Sequence, residues 1–418
     1  MTPQSLPSIS SRAVIFGSEQ LLSRRRLVAG CWVLLAIELA IFLFLIAGTY
    51  GLIVPLDKPT TSDFVSFYAA GDLADAGEPQ LAYHQAAHYA AEQRATKPGI
   101  EYDFFYYPPV FLMLCAAFAR LPYLVALGVF EAVTLAFFLL VASRIMGDRV
   151  VFLALFAFPP LLWNIGLGQN AFLTAGLFGA GTLLVDRRPI TAGLIFGALC
   201  YKPHFGLLIP IALAAGGRWR AFAAAFAAAL ALCVASLILF GWQTWHDFLA
   251  AAVASPGVYE SGRVTLAGFV TPFGAARLLS GSPAIGYVFQ AGVTLAAGAL
   301  VAVVWRRDLP LPIRAATLAA ATLAAVPLAL FYDLMLAAVA GLWLLRADGD
   351  YRLPEWGKVA LVALFVLSLN PRGLADAWHV PAGTFITMAL LALVATIALR
   401  DKTTLPRDTV AATALFNS

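Results

Sequence analysis

The chain is poor in charge. Asp, Glu, Lys and Arg together make up 12% of its 418 residues, against about a quarter in ordinary soluble proteins. A soluble fold of this length could not hide the 61% of residues that are hydrophobic. A soluble enzyme, a disordered chain and a nucleic-acid binder are thereby excluded. Strict alternation of apolar and polar residues is missing too, which excludes a membrane β-barrel. Cysteine is scarce. Cys31, Cys115, Cys200 and Cys233 lie in or beside apolar runs, without metal-ligand spacing, and read as small buried hydrophobes rather than a disulfide framework. No internal repeat is visible, and no secretory signal pattern opens the chain.

What is present is a succession of long apolar runs, with a mean hydropathy of +0.84. They predict an all-α polytopic membrane protein. Arg24-Arg25-Arg26 precede the first run, Leu27–Tyr50, and place the N-terminus in the cytoplasm. Further spans are expected at 122–143, 150–165, 171–185, 221–240, 283–305, 313–330, 332–345, 356–369 and 381–399. Segment 189–217 reads as two short helices hinged at Lys202-Pro203, because proline disfavours an α conformation in the residue before it. The sum is about twelve transmembrane helices with both termini inside, and it leaves most Lys and Arg cytoplasmic.

Two outer loops stand out. The first, at 51–107, is rich in acid and short of base. The spacings of Phe64, Phe67 and Tyr68, and of Tyr83, Ala87 and Ala90, predict amphipathic interfacial helices on the outer leaflet. The run Pro108–Ala119 would rise only about 18 Å as a helix, too short to span. The second outer loop is expected at 241–282, with an amphipathic portion at Phe269–Leu279.

Polar groups in such a chain carry a cost and so attract attention. Asp63 reads either as a general base at the outer interface or, with Ser62, as an N-cap for the helix that follows. Lys202, at the proposed break, reads as an anion site or as a snorkelling side chain, with His204 as a neighbour. Arg120, Arg263, Arg277 and Arg372 are the other outer arginines, suited to headgroups or to a lipid phosphate. Gln169-Asn170 and Tyr332-Asp333 fall at outer span ends, where Asn170 and Asp333 are also cap candidates. Phe104-Phe105-Tyr106-Tyr107 form an aromatic belt or an acceptor wall. His84 and His88 share a helix face but lack a third ligand, so no metal is expected. Glu38 and Glu131 sit inside spans and keep a secondary transporter in play as a second reading.

The motifs Ser62-Asp63-Phe64, Tyr68-Ala69-Ala70-Gly71, Tyr106-Tyr107-Pro108-Pro109, Gly168-Gln169-Asn170 and Asp186-Arg187-Arg188-Pro189 follow one another in order. Tyr201-Lys202-Pro203-His204, Gly216-Gly217-Arg218-Trp219-Arg220 and Tyr332-Asp333 complete the series. Over nearly its whole length the chain resembles glycosyltransferase family 87, membrane-embedded transferases of the GT-C type. The resemblance implies inverting transfer of a hexose, mannose by preference, from a polyprenyl-phosphate sugar to a lipid-linked or glycan acceptor. The reaction would take place on the extracytoplasmic face of a bacterial cytoplasmic membrane, in the cell envelope.

By the same resemblance Asp63 is the base and a basic residue at the Lys202 position holds the donor phosphate. From their positions, His204, Arg277 and Arg263 are nominated beside Lys202 for the phosphate, and Tyr68, Tyr106, Tyr107, Gln169, Asn170, Tyr332 and Asp333 for the substrates. No cofactor and no nucleic-acid partner is implied. Residues 1–243 would form the catalytic module, with its first outer loop at 51–121, and 244–418 a variable transmembrane module. The histidine that often precedes the family's second acidic position is absent from Phe331-Tyr332-Asp333.

Overall fold

The computed structural model describes residues 23–47, 63–148, 150–261, 264–351 and 353–400. Ser62 and Arg263 lie outside these. Among the described residues the chain is helical, with only an isolated bridge between Phe269 and Leu330. The α-helices are α1 (Arg24–Ala47), α2 (Phe64–Asp75), α3 (Gln85–Ala95), α4 (Pro109–Ala119), α5 (Tyr123–Ile145) and α6 (Val150–Phe156). They continue as α7 (Pro159–Leu167), α8 (Ala171–Leu184), α9 (Pro189–Ala198), α10 (Ile209–Ala215), α11 (Trp219–Glu260) and α12 (Pro272–Ser280). The last are α13 (Pro283–Arg306), α14 (Leu311–Ala325), α15 (Met335–Tyr351), α16 (Glu355–Leu367), α17 (Pro371–Trp378) and α18 (Ala382–Leu399). Proline recurs in the first turn, where its missing N–H costs nothing.

Five helices are long and apolar enough to cross a membrane, or seven spans if each bent pair counts as one. The bent pairs are α6 with α7, at 56°, and α16 with α17, at 70°. Five further apolar helices, at 109–119, 171–184, 189–201, 203–215 and 311–325, fall in the range of 10–17 residues. The count of about twelve requires shorter helices such as these to serve as spans. α14 is one of these short helices. Every residue from Ile313 to Ala325 is buried, so protein surrounds it. Its alanines let α13, α15 and α18 pack close.

One expectation is met and one changes. The hinge at Lys202 is present, flanked by 3-10 turns at Leu199–Tyr201 and Pro203–Gly206. The second outer loop, however, is helical as far as Glu260. Gly241 (φ 77°, ψ 169°) is non-helical and divides α11 into two helical segments at a kink, and the chain resumes as helix because the alanine-rich stretch beyond is a good helix former. After the bend α11 leans on the first loop through Phe248, 5.7 Å from Tyr83, and Asp247, 2.9 Å from His84.

The first loop is packed rather than merely amphipathic. α2 buries Phe64, Val65, Phe67, Ala69, Ala70 and Leu73 against α3 and α4. Beneath it the buried His88 ring meets the Ser66 carbonyl at 3.0 Å and Glu92 at 3.6 Å. Burial lowers His88 to about 4 and raises Glu92 to about 8. Both are therefore neutral at pH 7, a cheaper state than a buried ion pair. The useful partner of His88 is thus Glu92, whereas His84 turns to Asp247. A Cβ on Gly71 would lie 2.2 Å from the Cys115 carbonyl oxygen. Gly71→Ala must therefore separate α2 from α4, and a loss of about 1–3 kcal/mol is expected, read as a lowered Tm in detergent.

Candidate active site

Four chain segments meet on the side of the fold where α2 and α8 begin. Asp63 occupies the N-cap position of α2, but its side chain makes no capping bond. Instead Oδ2 accepts a hydrogen bond from Gln169 Nε2 at 2.7 Å. The cap reading is corrected on this point: the neighbouring amide outcompetes the backbone.

Gln169 reaches Asp63 because α7 ends in a tight turn. Gly168 takes the left-handed conformation (φ 65°, ψ 36°) that glycine adopts at least cost. Asn164, fully buried, fastens the turn by accepting from the Ala171 N–H at 3.2 Å. Asn170 is likewise not a side-chain cap. Its Oδ1 accepts from Lys202 Nζ at 3.2 Å.

Lys202 is buried and committed. Nζ stands 2.7 Å from Asp333 Oδ1, with the two side chains 5% and 3% exposed. The ammonium also lies over the rings of Phe205 and Tyr332, at 4.9 and 5.6 Å. Asp333 uses its other oxygen to accept from the Leu330 N–H at 3.1 Å, which fixes the carboxylate against the backbone at the start of its own turn. Tyr201, next to Lys202, holds Thr174 Oγ1 at 2.5 Å. Two buried polar atoms at this wall, Asn170 Nδ2 and His204 Nε2, have no hydrogen-bond partner.

A second carboxylate joins Asp63. Asp103 lies on the extended segment before α4, and its N–H donates to Glu92 Oε2 at 3.3 Å. Burial raises Asp63 to about 6, while the Gln169 bond and the Arg372 charge pull the other way. Burial, then the charges of Asp63 and Glu92, hold Asp103 well above the usual carboxylate range. At neutral pH Asp63 is mostly ionised. Tyr332 joins this wall through the Lys202 ammonium over its ring, and Tyr107 through Phe111, whose ring lies 4.7 Å from Tyr107 and 5.2 Å from Tyr201.

The remaining nominated residues stand apart. Tyr68 donates to the Leu121 carbonyl at 2.9 Å and packs on Tyr123. Tyr106 stacks on Phe104 at 5.6 Å. Arg277 is buried on α12 and donates to the Glu260 carbonyl, leaving Nε and Nη1 without partners. Among the described residues no hydrogen bond or ion pair joins it to Asp63, Lys202 or Asp333. Sequence reasoning missed Asp103, one of several acids in a polar loop, and Asn164, which looks like any residue of an apolar helix. Neither had a spacing signal.

A family model described as glycosyltransferase family 87 matches residues 105–331, more than half of the chain. That is a shorter stretch than the motif series suggested. It includes Tyr107, Gln169, Asn170 and Lys202, while Asp63 and Asp103 precede it and Tyr332 and Asp333 follow it directly. No curated protein and no solved structure matches the chain.

Proposed function

The chain belongs to glycosyltransferase family 87, and from that premise we propose that it moves a hexose, mannose first, from a polyprenyl-phosphate sugar to an acceptor hydroxyl with inversion. The acceptor is a lipid-linked sugar or glycan on the extracytoplasmic face of a bacterial cytoplasmic membrane, crossed by about twelve helices in all. One observation carries the chemical part: a carboxylate released from helix capping and aimed by an amide, beside a buried Lys–Asp pair.

Asp63 takes the proton of the acceptor hydroxyl as its oxygen attacks the anomeric carbon. The bond from that carbon to the phosphate oxygen breaks, and the phosphate leaves on the opposite face with its electron pair. Tyr107, Tyr332 and Asn170 bound the sugar. Lys202 and His204 face the donor, with Asp333 fixing the lysine. A transferase family also sets aside the transporter reading that Glu38 and Glu131 raised, although both carboxyls are buried without hydrogen-bond partners.

The test is sugar transfer by purified protein in nanodiscs, with radiolabelled polyprenyl-phosphate sugars and host lipid extract as acceptor. A pH profile adds to it. Asp63 must be ionised to act, and its value is raised to about 6. Transfer should therefore fall as the pH drops through 6, to about a tenth of its plateau at pH 5. A flat profile between pH 5 and 8 would remove Asp63 as the base.

A further inference from the structure

The Lys202–Asp333 pair carries no net charge, yet a departing phosphate needs a cation that is not already neutralised. This inference rests on the reading above. On the outer side of the fold, Arg94 and Arg120 are tied to Asp72 and Asp75. Arg277 is sunk beneath α12 against the end of α11. Arg372 differs from these. It is half-exposed, and its ion pair is with Asp376 one turn along the same helix, at 3.6 Å and equally exposed, a pairing worth little.

The fold holds Arg372 to the site by two links. α17 starts at the 70° bend after α16, where Asn370 caps it by accepting from the Gly373 N–H at 2.9 Å. The bend is tied to α7, because Trp163 Nε1 donates to the Leu369 carbonyl at 3.5 Å. Trp163 also meets the Phe331 ring at 5.7 Å, immediately before Tyr332-Asp333. α7 is the helix whose C-terminal turn delivers Gln169 to Asp63. One helix therefore positions both the arginine and the carboxylate. The Arg372 charge is felt at Asp63, while its ion pair is with Asp376. In-line inversion requires base and phosphate to stand apart, since acceptor oxygen, anomeric carbon and leaving oxygen must all fit between them.

We propose that Arg372 on α17 receives the phosphate ester of the sugar donor, across the site from Asp63. Its fork suits two phosphate oxygens, and it lies beyond the family-matched segment. Phosphate esters reach such a site either as polyprenyl phosphate or as a nucleoside diphosphate sugar.

The experiment uses the full chain in nanodiscs and measures binding of radiolabelled polyprenyl phosphate, and separately of a nucleoside diphosphate sugar. Wild type is compared with Arg372→Ala, Arg372→Lys and the distant Arg120→Ala. Arg372→Ala should weaken polyprenyl-phosphate binding about tenfold, Arg372→Lys by less, and Arg120→Ala not at all. Donor KM should rise in the same order. Unchanged binding in Arg372→Ala with an intact Tm overturns the proposal, as does equal loss in Arg120→Ala. Arg372-dependent binding of the nucleotide sugar alone overturns the lipid source while keeping the arginine's role. Arg372-dependent binding of polyprenyl phosphate without transfer of any sugar supports the site and instead defeats the function proposed above.

Discussion

Asp63→Asn should abolish sugar transfer and leave the protein folded. The amide keeps the shape of the carboxylate and can still face Gln169, whose bond to Oδ2 is 2.7 Å. It cannot take a proton. A loss of about 10²–10⁴-fold in kcat is expected for removal of a general base, with Tm within about 1–2 °C of wild type. Because Asp63 is raised by burial, the neutral amide also spares the fold the cost of a partly desolvated charge. Single-turnover transfer with radiolabelled donor, alongside thermal unfolding in detergent, checks both halves. Retained turnover would show that another group takes the proton, and Asp103 is the first to try.

The largest stability effect belongs to the Lys202–Asp333 pair. Lys202→Met leaves a carboxylate that is 3% exposed without its cation, and the expected cost is about 3–5 kcal/mol. Asp333→Leu strands the ammonium in the same way. The double variant removes both charges. It should recover most of the lost stability, because the pair's attraction largely offsets its own desolvation. It should not recover transfer, since Asn170 loses the donor that holds its amide at 3.2 Å. A double-mutant cycle on unfolding, with transfer measured on the same four proteins, separates the two roles. Single variants as stable as wild type would mean that water reaches the pair.

Much of this site can be found from residue type alone, for a reason particular to membrane chains. Against an apolar background each polar residue needs an explanation, and Asp63, Gln169, Asn170, Lys202 and Asp333 stand out on that ground. Five of the nominated groups meet through two short chains of contact, Gln169 to Asp63 and Asn170 to Lys202 to Asp333. The sequence did not reveal which charge cancels which. Lys202 and Asp333 are 131 positions apart, and no local pattern announces that they meet. Nor does a polar loop distinguish Asp103 from its acidic neighbours, because its place depends on Glu92 holding its backbone. The helical character of 242–260 was hidden by Gly241 and Pro256, two residues usually read as breaks, of which only Gly241 departs from helical geometry.

The turn at Gly168 has one more consequence, for anyone who wishes to change what this transferase accepts. Gln169 and Asn170 are consecutive, yet they serve different masters, the carboxylate of Asp63 and the ammonium of Lys202. A substitution at either shifts the shared turn and so disturbs both. Random libraries that include these two codons will consist mostly of dead clones. Diversity is better placed in the aromatic surround, at Tyr107 and Tyr332, where shape can vary while the dipeptide stays fixed.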